Sequence, residues 1–556
     1  MHNFRHPAAL TLAFVLFTMV ALAGVVGRAS ADRPQPDSDY PELFSWPSTP
    51  EQLGLPRFVG SEAIPNPLPP ISIPPNDFLA EQGRNSLHGD NYNSDTLNYE
   101  APLGIDPVVS SRQLGLLAAT CPTVVFDSYG NVVTICIGIA RVRLFLMNPH
   151  SLEVLAEQEL PLRAWVAAGR PEDITTDSSG GGYFHVDQFG RALVGVSNQR
   201  IQRWEALQVK NKQWEWVLVD DYDLAAYLGD PDAPLQDALP DYAGRLWFTT
   251  QPGIIGYLDE TTGDVKTCVL GDGDGDGNGD CDGDGDGDGD GEFLQNGFAV
   301  DIDGAIYAVT VEALYRLEVD QDGLIFVAWR QAYLNDGGQG GLLSQGSGTT
   351  PTLFGDNNDL VAIADNSAGR IHLNVYRRQD GVQICQFPMF EEGASATENS
   401  PIGYGNDLVL ENNAGYPGPF GDPLLTTPGL TRVHVREDRG KCVEDLSCCD
   451  LIWHTTEFRA QTTPRLSTAT GLIYTYSVKE GQPVLGIPIN GWYFGALDWE
   501  TGERAFEVWV GNGGFWNNVL DPVTLGPDGT AYVGTKNGLM AIRDSRKKPK
   551  KPKKDK

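Results

Sequence analysis

Short apolar runs alternate with polar turns along most of the chain. In the stretch 518–544 the runs DPVTL, TAYVGT and LMAI are separated by the turns PDG and KNG. Asp-Gly and Asn-Gly pairs between β-rich runs are a strong hairpin signal, because glycine accepts the positive φ that these turns require. We therefore predict three short antiparallel strands in this stretch.

The same turn-and-strand phrase occurs eight times, with copies that begin at Pro122, Tyr183, Leu235, Gly297, Thr350, Ser400, Thr463 and Asp521. A period of roughly 50 to 60 residues built of short strands is typical of a β-propeller, although usual blades span about 40–50 residues. A string of β-sandwich domains would also give short strands. Because the phrase stays in register along the chain, we predict an all-β fold with one propeller of eight blades, seven being the alternative.

The last repeat ends at Asp544 and has room for only three strands. Propellers commonly close by using one chain end to complete the last blade, which removes an open sheet edge. We therefore expect an N-terminal strand, near Val108 to Leu114, to supply the fourth strand of that blade.

Residues 1–31 have the features of a signal peptide, with Arg5, an apolar run over 8–26 and an Ala-Ser-Ala site ending at Ala31. An uncleaved membrane anchor is the alternative. No second apolar stretch approaches the ~20 residues of a membrane span. The sequence thus predicts a secreted or periplasmic protein with no membrane span after cleavage.

Two further segments differ in composition from the predicted propeller, which we place at 86–544. Residues 32–85 form a proline-rich leader that we expect to be extended, since proline cannot donate to a β-ladder. Residues 545–556 form a basic tail with interleaved prolines, which predicts a disordered arm. Contact of this tail with an anionic cell surface is one interpretation, and a solvated tail is the other.

The formal net charge of −34 argues against nucleic acid as a partner. Eight cysteines in an exported chain can form four disulfides. Cys121 and Cys136 flank one hairpin at mirrored positions, and Cys268 and Cys281 bracket the start of an acidic run. The pairing of the other four cysteines stays open at this stage.

The acidic run over 271–292 alternates glycine with acidic residues and contains no apolar core residue. Ca²⁺ takes six to eight oxygen ligands in flexible geometry, so alternate carboxylates suit it. Residues 272–282 resemble the calcium repeats of thrombospondin type 3, a resemblance that implies Ca²⁺ binding; an acidic solubility loop is the alternative. The predicted metal ligands are Asp272, Asp274, Asp276, Asn278, Asp280, Asp282, Asp284, Asp286, Asp288 and Asp290.

Small polar residues precede or begin the first strand of most repeats. If that strand is innermost, these residues surround one mouth of the central channel, where loops of all blades converge. The alternative is simple capping of strand starts. The predicted ligand-site residues are Thr120, Asp237, Asn296, Thr350, Asn399, Thr463 and Asn518.

Two stretches resemble known propeller families. The run ALDWETG over 496–502 is similar to the A-x-D-x-x-T-G docking motif of quinoprotein-type propellers, although Phe506 stands where that family has Trp. Residues 244–265 resemble a blade of streptogramin lyase and gluconolactonase propellers. Both resemblances imply a fold rather than an activity.

Cys448-Cys449-Asp450 resembles the vicinal disulfide sequence on which quinoprotein alcohol dehydrogenases stack pyrroloquinoline quinone (PQQ). That resemblance implies a PQQ site at Cys448 and Cys449, but this pair lies late in the chain, whereas the family carries it early. An ordinary loop disulfide through Cys442 is the alternative.

The histidines outside the signal segment are isolated and show no zinc-binding spacing. His185 lies in a first strand, where it could act as a general base; a hydrogen-bonded core histidine is the alternative. The sequence therefore predicts an exported propeller that binds a small molecule, glycan or protein ligand. The alternative is a propeller enzyme, either a PQQ-type dehydrogenase or a metal-assisted lyase or lactonase.

Overall fold

The structure is a computed structural model, which describes residues 40–115, 119–138, 141–164, 177, 179–229, 233–271, 291–337 and 345–545. Its strands form eight sheets arranged as an eight-bladed β-propeller, which confirms the predicted all-β fold. Among these residues no helix is both long and apolar enough to cross a membrane.

Three strands precede the first blade: β1 (Phe58–Gly60), β2 (Thr96–Leu97) and β3 (Pro107–Gln113). Blade 1 contains β4 (Val124–Phe126), β5 (Val132–Ile137), β6 (Val142–Met147) and β7 (Val154–Leu160). Blade 2 contains β8 (Phe184–Val186), β9 (Ala192–Val196), β10 (Arg200–Gln208) and β11 (Trp214–Asp223). Blade 3 contains β12 (Leu235–Pro240), β13 (Leu246–Thr250), β14 (Ile254–Leu258) and β15 (Val265–Val269). Blade 4 contains β16 (Ala299–Val300), β17 (Ile306–Val309), β18 (Ala313–Val319) and β19 (Ile325–Ala332).

Blade 5 contains β20 (Thr352–Phe354), β21 (Leu360–Ala364), β22 (His372–Arg377) and β23 (Gln383–Pro388). Blade 6 contains β24 (Ile402–Tyr404), β25 (Asp407–Glu411), β26 (Leu430–Val435) and β27 (Cys449–Thr455). Blade 7 contains β28 (Arg465–Ser467), β29 (Leu472–Glu480), β30 (Asn490–Asp498) and β31 (Arg504–Asn512). Blade 8 contains β32 (Val523–Leu525), β33 (Ala531–Thr535) and β34 (Gly538–Asp544). Short 3₁₀ turns cover Pro50–Leu53, Lys210–Lys212, Pro423–Leu425 and Gly514–Trp516.

The first strand of each blade is the innermost, which meets the condition set for the predicted ligand site. First strands such as β4, β8 and β12 are buried throughout, whereas fourth strands such as β7 and β11 expose many side chains. First strands of neighbouring blades also contact one another, as β4 contacts β8 and β8 contacts β12. The hydrophobic core lies between blades: one cluster joins Trp247 and Tyr257 of blade 3 to Ile306 and Tyr315 of blade 4.

The repeated Asp-x-x-Gly turn forms because the aspartate caps the hairpin that it begins. In blade 1, Asp127 Oδ1 accepts hydrogen bonds from the backbone N–H groups of Tyr129 (2.9 Å) and Asn131 (2.8 Å). Gly130 follows with a φ of +79°, a conformation that glycine adopts without steric cost. The same two bonds recur at Asp187, Asp241 and Asp301.

The propeller closes through the N-terminal strand, as predicted. β3 pairs antiparallel with β34, with Pro107 opposite Asp544 and Gln113 opposite Gly538. Blade 8 therefore has four strands in the order β3-β34-β33-β32. The strand lies within one residue of the predicted span.

The leader contributes to the propeller, so the boundary placed at residue 86 needs correction. From the leader, β1 pairs antiparallel with the outer strand β31. β2, which lies beyond residue 86, pairs parallel with the inner strand β28, so blade 7 is a six-stranded sheet. The physical reason is that Phe58–Gly60 lacks proline, so its backbone can join a ladder even though prolines surround it.

Three disulfides join described cysteines. The predicted bond between Cys121 and Cys136 is present and crosses one hairpin of blade 1. Cys385 in β23 bonds Cys449 in β27, which links the outer strands of blades 5 and 6. Cys442 bonds Cys448. Cys268 is also disulfide-bonded, and the predicted pairing with Cys281 lies outside the described residues.

Candidate functional site: two ends of the central hub

Residues 84–97, which we call the plug, run across one end of the hub. Their carbonyl oxygens accept backbone hydrogen bonds from the inner strands of six blades. The donors are Phe126 (3.2 Å), Val186 (2.8 Å), Val300 (2.9 Å), Leu353 (2.8 Å), Gly403 (2.8 Å) and Leu466 (3.0 Å). Since the first three donors are the last residues of their strands, the plug lies at the end of the hub where the inner strands finish.

Every charge of the plug's central cluster is paired. Arg465 Nη1 lies 2.7 Å from Asp95 Oδ1, and His88 Nδ1 lies 3.0 Å from Asp95 Oδ2. Arg465 also donates from Nε to the Val523 carbonyl (3.0 Å) and from Nη2 to the Leu87 carbonyl (2.7 Å). The side chains of Arg465, Asp95 and His88 are all buried. This cluster fixes the plug to blades 7 and 8.

The predicted ligand-site residues lie at the opposite end of the hub, where the inner strands start. Together with their neighbours they form a closed set of blade-to-blade hydrogen bonds, which we call the hub ring. Around the ring, its side-chain bonds join Thr123 to Gly182, His185 to Asp237, Gln236 to Gln295, Asn296 to Ser347, Ser400 to Thr350, Thr463 to Asn399, Thr462 to Asp521, and Thr120 to Asp521. These bonds cover each of the eight blade junctions, so much of the predicted ring is occupied in holding the blades together.

His185 and Asp237, which the sequence singled out separately, are brought together. His185 Nε2 lies 2.8 Å from Asp237 Oδ1, and both side chains are nearly fully buried. Ala238 also donates its N–H to Asp237 Oδ1 (2.8 Å). His185 Nδ1 is buried without a hydrogen-bond partner. The pair therefore leaves one ring nitrogen without a hydrogen bond.

Several unpartnered buried polar atoms lie on the part of the hub ring formed by blades 6 to 8, and others lie at the plug, on Arg84, Asn85, His88 and Tyr92. Those on the ring are Glu411 Oε2, Tyr416 Oη, Asn518 Oδ1 and Asn537 Oδ1, on side chains that are at most 2% exposed. Buried polar groups in proteins nearly always have partners, so each exception calls for an explanation. A bound ligand is one such explanation.

Two carboxyl groups lie within this region. Glu411 Oε1 accepts from Asn413 Nδ2 (2.7 Å) and from the Thr462 N–H (3.4 Å), and the Asn399 amide also faces this carboxyl. Asp521 Oδ2 accepts from the Thr120 hydroxyl. Burial raises the pKa of both carboxyl groups well above the usual range, which these hydrogen bonds only partly offset.

A segment of blade 6 covers the region. Residues 412–429, which we call the strap, reach blade 7 through Gln461 Nε2, which donates to the Pro423 carbonyl (2.8 Å). They reach blade 8 through Lys536 Nζ, which donates to the Pro419 carbonyl (3.2 Å) and lies 4.1 Å from the Phe420 ring centroid. Burial lowers the pKa of Lys536 to about 8.

The interpretation of Cys448 and Cys449 as a vicinal disulfide is wrong. Cys448 bonds Cys442 and Cys449 bonds Cys385, so the two adjacent sulfurs face different partners. The physical reason is that Cys449 begins β27, the outermost strand of blade 6, which places its side chain beside the outer strand of blade 5. The alternative of an ordinary loop disulfide through Cys442 is confirmed.

Other predicted features lie outside the described residues: the signal peptide over 1–31, the ten acidic-run ligands from Asp272 to Asp290, and the tail beyond Ser545. Within the described ranges, no group of three or more His, Cys, Asp or Glu side chains is placed to hold a metal ion.

Sequence reasoning missed the strap, Glu411, Asp521 and the plug. Asp521 stands three residues beyond the predicted Asn518 and two residues before an inner strand, so the same pattern could have included it. The plug includes a polar run over 87–95, whose mixture of Asn, Asp, Ser and His is unusual for a connection. No local signal indicates that it crosses the hub.

Comparisons with known proteins assign no family to this chain. No family model matches the chain. An uncharacterised protein of Archaeoglobus fulgidus is 23% identical over 326 residues, which covers 54% of this chain and 59% of that protein. The chain thus spans less than two thirds of that relative's length.

Similar solved structures include propellers of different activities. Quinohemoprotein alcohol dehydrogenase ADHIIG from Pseudomonas putida HK5 has a TM-score of 0.49 at 12% identity, covering 85% of this chain and 82% of the other. Streptogramin B lyase has a TM-score of 0.36 at 12% identity, with coverages of 79% and 97%. Virginiamycin B lyase from Staphylococcus aureus has a TM-score of 0.35 at 11% identity, with coverages of 79% and 99%. At these values we draw no function from the likeness.

Proposed function

We propose that this protein is an exported binding propeller whose ligand occupies the hub ring on blades 6 to 8. The observation that carries the proposal is the group of unpartnered buried polar atoms on Glu411, Tyr416, Asn518 and Asn537. The plug bonds six blades at the other end of the hub, so a ligand approaches from the ring side. The ligand is a small molecule, a glycan or an exposed group of a protein.

Several expectations from the sequence belong to this proposal. Disulfides are compatible with a secreted or periplasmic location, because oxidising compartments preserve them. The basic tail would add contact with an anionic cell surface, and Ca²⁺ bound by the acidic run would order that segment. Calorimetric titration of the full chain with Ca²⁺ tests the last point.

The test is a thermal-shift screen of the full chain against sugars, polyols, amino acids and glycans. A ligand of the hub ring should raise the midpoint of thermal unfolding of the wild type, and it should not raise that of the Asn518→Leu or Tyr416→Phe variant. The matched control is Tyr129→Phe, since Tyr129 is exposed at a turn on the opposite side of blade 1. A ligand that stabilises the wild type and both ring variants equally contradicts the proposed site.

A second candidate function rests on the His185 and Asp237 pair. A carboxylate that holds one ring nitrogen leaves the other as a base, which is the arrangement of a general-base dyad. This dyad favours a lyase or a lactonase. If the reaction uses a metal, the ligand-binding region on blades 6 to 8 would hold it. His185→Gln and Asp237→Asn should both abolish turnover of a lactone or uronate substrate panel, with folding unchanged by circular dichroism.

A PQQ-type dehydrogenase was suggested by a vicinal disulfide that the protein does not form. Whether the protein binds PQQ at another place is tested separately. Addition of PQQ with Ca²⁺ and an electron-acceptor dye tests it. Dye reduction with an alcohol or sugar would support a dehydrogenase. Absence of reduction across the panel would reject it.

A further inference from the structure

Tyr183 stands directly before the inner strand β8 of blade 2, and its side chain reaches past the neighbouring blade. The Gly297 N–H, at the start of blade 4, and the Thr350 hydroxyl, at the start of blade 5, both hydrogen-bond with its phenol oxygen. The side-chain bonds of the hub ring join neighbouring blades, whereas this side chain reaches blades two and three positions away. The Asp95 charge of the plug also acts on the phenol. The Tyr183 side chain therefore extends into the hub, between the ring and the plug.

A glycine brings this side chain next to the Asp237 carboxylate. A Cβ atom on Gly297 would lie 2.9 Å from Asp237 Oδ2 and 2.9 Å from Cδ1 of the Tyr183 ring. The carboxylate oxygen and the edge of the aromatic ring are thus neighbours across one small gap. Glycine leaves that gap open, because any side chain at position 297 would displace one of the two groups.

The Asp237 carboxylate uses only one of its two oxygens within the fold. Oδ1 lies 2.8 Å from His185 Nε2 and accepts from the Ala238 N–H (2.8 Å). No described residue donates a hydrogen bond to Oδ2, which is the oxygen that faces the gap at Gly297. A carboxylate oxygen is a strong acceptor, so the gap holds an unused acceptor whose position is fixed by the bonds to Oδ1.

The hydroxyls of Tyr183 and Thr350 supply an unused donor to the same place. Each hydroxyl carries one proton, and the hydrogen bond between them uses only one of the two. The Gly297 N–H donates to the phenol oxygen and cannot accept the remaining proton. Tyr183 is also partly exposed, although it extends into the hub, so open space adjoins it. The hub therefore presents one free O–H donor and one free carboxylate oxygen at the edge of an accessible aromatic ring.

This combination restricts the chemistry of a ligand. A group that satisfies both must donate to a carboxylate and accept from a hydroxyl. A phosphate or carboxylate would be repelled by the Asp237 charge, and an ammonium has no lone pair with which to accept. A hydroxyl or a carboxamide does both. The Tyr183 ring adds an apolar surface beside these polar groups, which suits the C–H face of a cyclic sugar.

We propose that the hub binds a sugar or cyclic polyol between Tyr183 and Asp237, whose hydroxyls donate to Asp237 Oδ2 and accept from the Tyr183 and Thr350 pair. This site lies on blades 2 to 5 and goes beyond the ligand region proposed on blades 6 to 8. His185 is a positioning residue in it, because it holds the other oxygen of Asp237. A carboxamide ligand has the same donor and acceptor chemistry, so the experiment separates the two sources.

The experiment is isothermal titration of the full chain with glucose, xylose, myo-inositol and acetamide in separate runs. Tyr183→Phe removes the phenol oxygen and keeps the ring, and Asp237→Asn turns the free acceptor into a donor. Tyr129→Phe is the matched control for the first variant, since Tyr129 is exposed. Asp380→Asn is the control for the second, since Asp380 is exposed and pairs with Arg377 (2.5 Å).

A third variant tests the gap itself. Gly297→Ala places a methyl group between the Tyr183 ring and Asp237 Oδ2 and leaves every polar group in the chain. It should weaken sugar binding for a steric reason, whereas the first two variants act through hydrogen bonds. Circular dichroism and the thermal midpoint identify any variant that does not fold, and the remaining variants then decide.

The expected result is binding of at least one sugar or polyol by the wild type and by both controls. Tyr183→Phe, Asp237→Asn and Gly297→Ala should each weaken it at least tenfold. Binding of acetamide alone would assign a carboxamide ligand and reject the sugar. If no probe binds, or if the folded site variants bind as the wild type does, the proposal is wrong.

Failure here and failure of the proposed function are distinguishable. A ligand that depends on Tyr416 and Asn518 but not on Tyr183 or Asp237 supports blades 6 to 8 and rejects this site. A sugar that depends on Tyr183 and Asp237 but not on Tyr416 or Asn518 does the reverse. Tyr183→Phe also leaves the pair of His185 and Asp237 in place, so it separates sugar binding from the candidate general base.

Discussion

The Asp95 carboxylate at the plug and the Glu411 and Asp521 carboxyl groups at the hub ring are all buried but have opposite surroundings. At the plug, the Asp95 carboxylate meets Arg465 at 2.7 Å and His88 at 3.0 Å, and the guanidinium uses two further donors on backbone carbonyls. At the hub ring, Glu411 and Asp521 meet no cation among the described residues. A buried ion pair resists the loss of either partner, whereas a buried carboxyl without a cation costs stability unless hydrogen bonds or a bound group offset it. The two surroundings therefore predict opposite effects when the charge is removed.

The largest expected effect on stability comes from removing the guanidinium that pairs with Asp95 at the plug. Arg465→Met leaves Asp95 buried with only a histidine and should lower the free energy of unfolding by about 3–5 kcal/mol. Urea unfolding of the full chain measures this. The control is Arg436→Met, since Arg436 pairs with Asp450 (2.5 Å) on the surface, and it should leave the midpoint unchanged. Equal effects of the two variants would contradict the structural role of the plug.

The second effect is a pH dependence that comes from the plug. Burial raises the pKa of Asp90 to about 6. Because this folded-state pKa exceeds the ordinary value, the native state holds the proton more tightly, so the stability contributed is present at acid pH and is lost as pH rises through about 6. The shift corresponds to about 3 kcal/mol.

Asp90→Asn removes this titration. Between pH 4 and pH 7 the stability of the variant relative to the wild type should rise by about 3 kcal/mol. Urea midpoints at several pH values measure it. A difference that does not vary with pH would show that Asp90 stays ionised in the fold.

The third prediction has the opposite sign to the first and tests a carboxyl group at the hub ring. Burial raises the pKa of Glu411, so this carboxyl costs stability at neutral pH, and Glu411→Gln should raise the free energy of unfolding by about 1 kcal/mol. The measurement is the midpoint of urea unfolding at neutral pH. A loss of stability would mean that the hydrogen bonds to Glu411 already compensate its burial.

The smallest expected effect concerns the strap. Phe420→Leu removes the ring that faces the Lys536 ammonium and should cost about 0.5–1 kcal/mol. Hydrogen exchange of residues 412–429 should report faster opening, with exchange in the plug unchanged. Faster exchange in both regions would mean that the two ends are coupled.

Patterns that are local in sequence predicted the fold well. The Asp-x-x-Gly turns identified the blades because the aspartate caps the hairpin it begins, as Asp127 does. The closing strand followed from a missing fourth strand in blade 8. The Cys121–Cys136 bond followed from mirrored positions about one turn.

Partners that are distant in sequence were not predictable. The sequence indicated the ring position of Asn518 and the separate residues His185 and Asp237, but their contacts join different blades. Cys449 bonds Cys385 across 64 residues, and nothing beside Cys448 indicates this. The plug was missed for the same reason, since its hydrogen bonds go to strands far along the chain from it.

The closure by β3 also has a consequence for synthesis. Residues 84–113 find their partners only in strands made later, the last of which is β34 near the end of the chain. Because synthesis starts at the N-terminus, β3 is made long before its partner strand β34. Until then its edge is unpaired, and unpaired strand edges promote association between chains. The propeller can close only after β34 has been synthesised. We therefore expect nascent chains stopped before residue 538 to be cleaved by proteases that the complete protein resists.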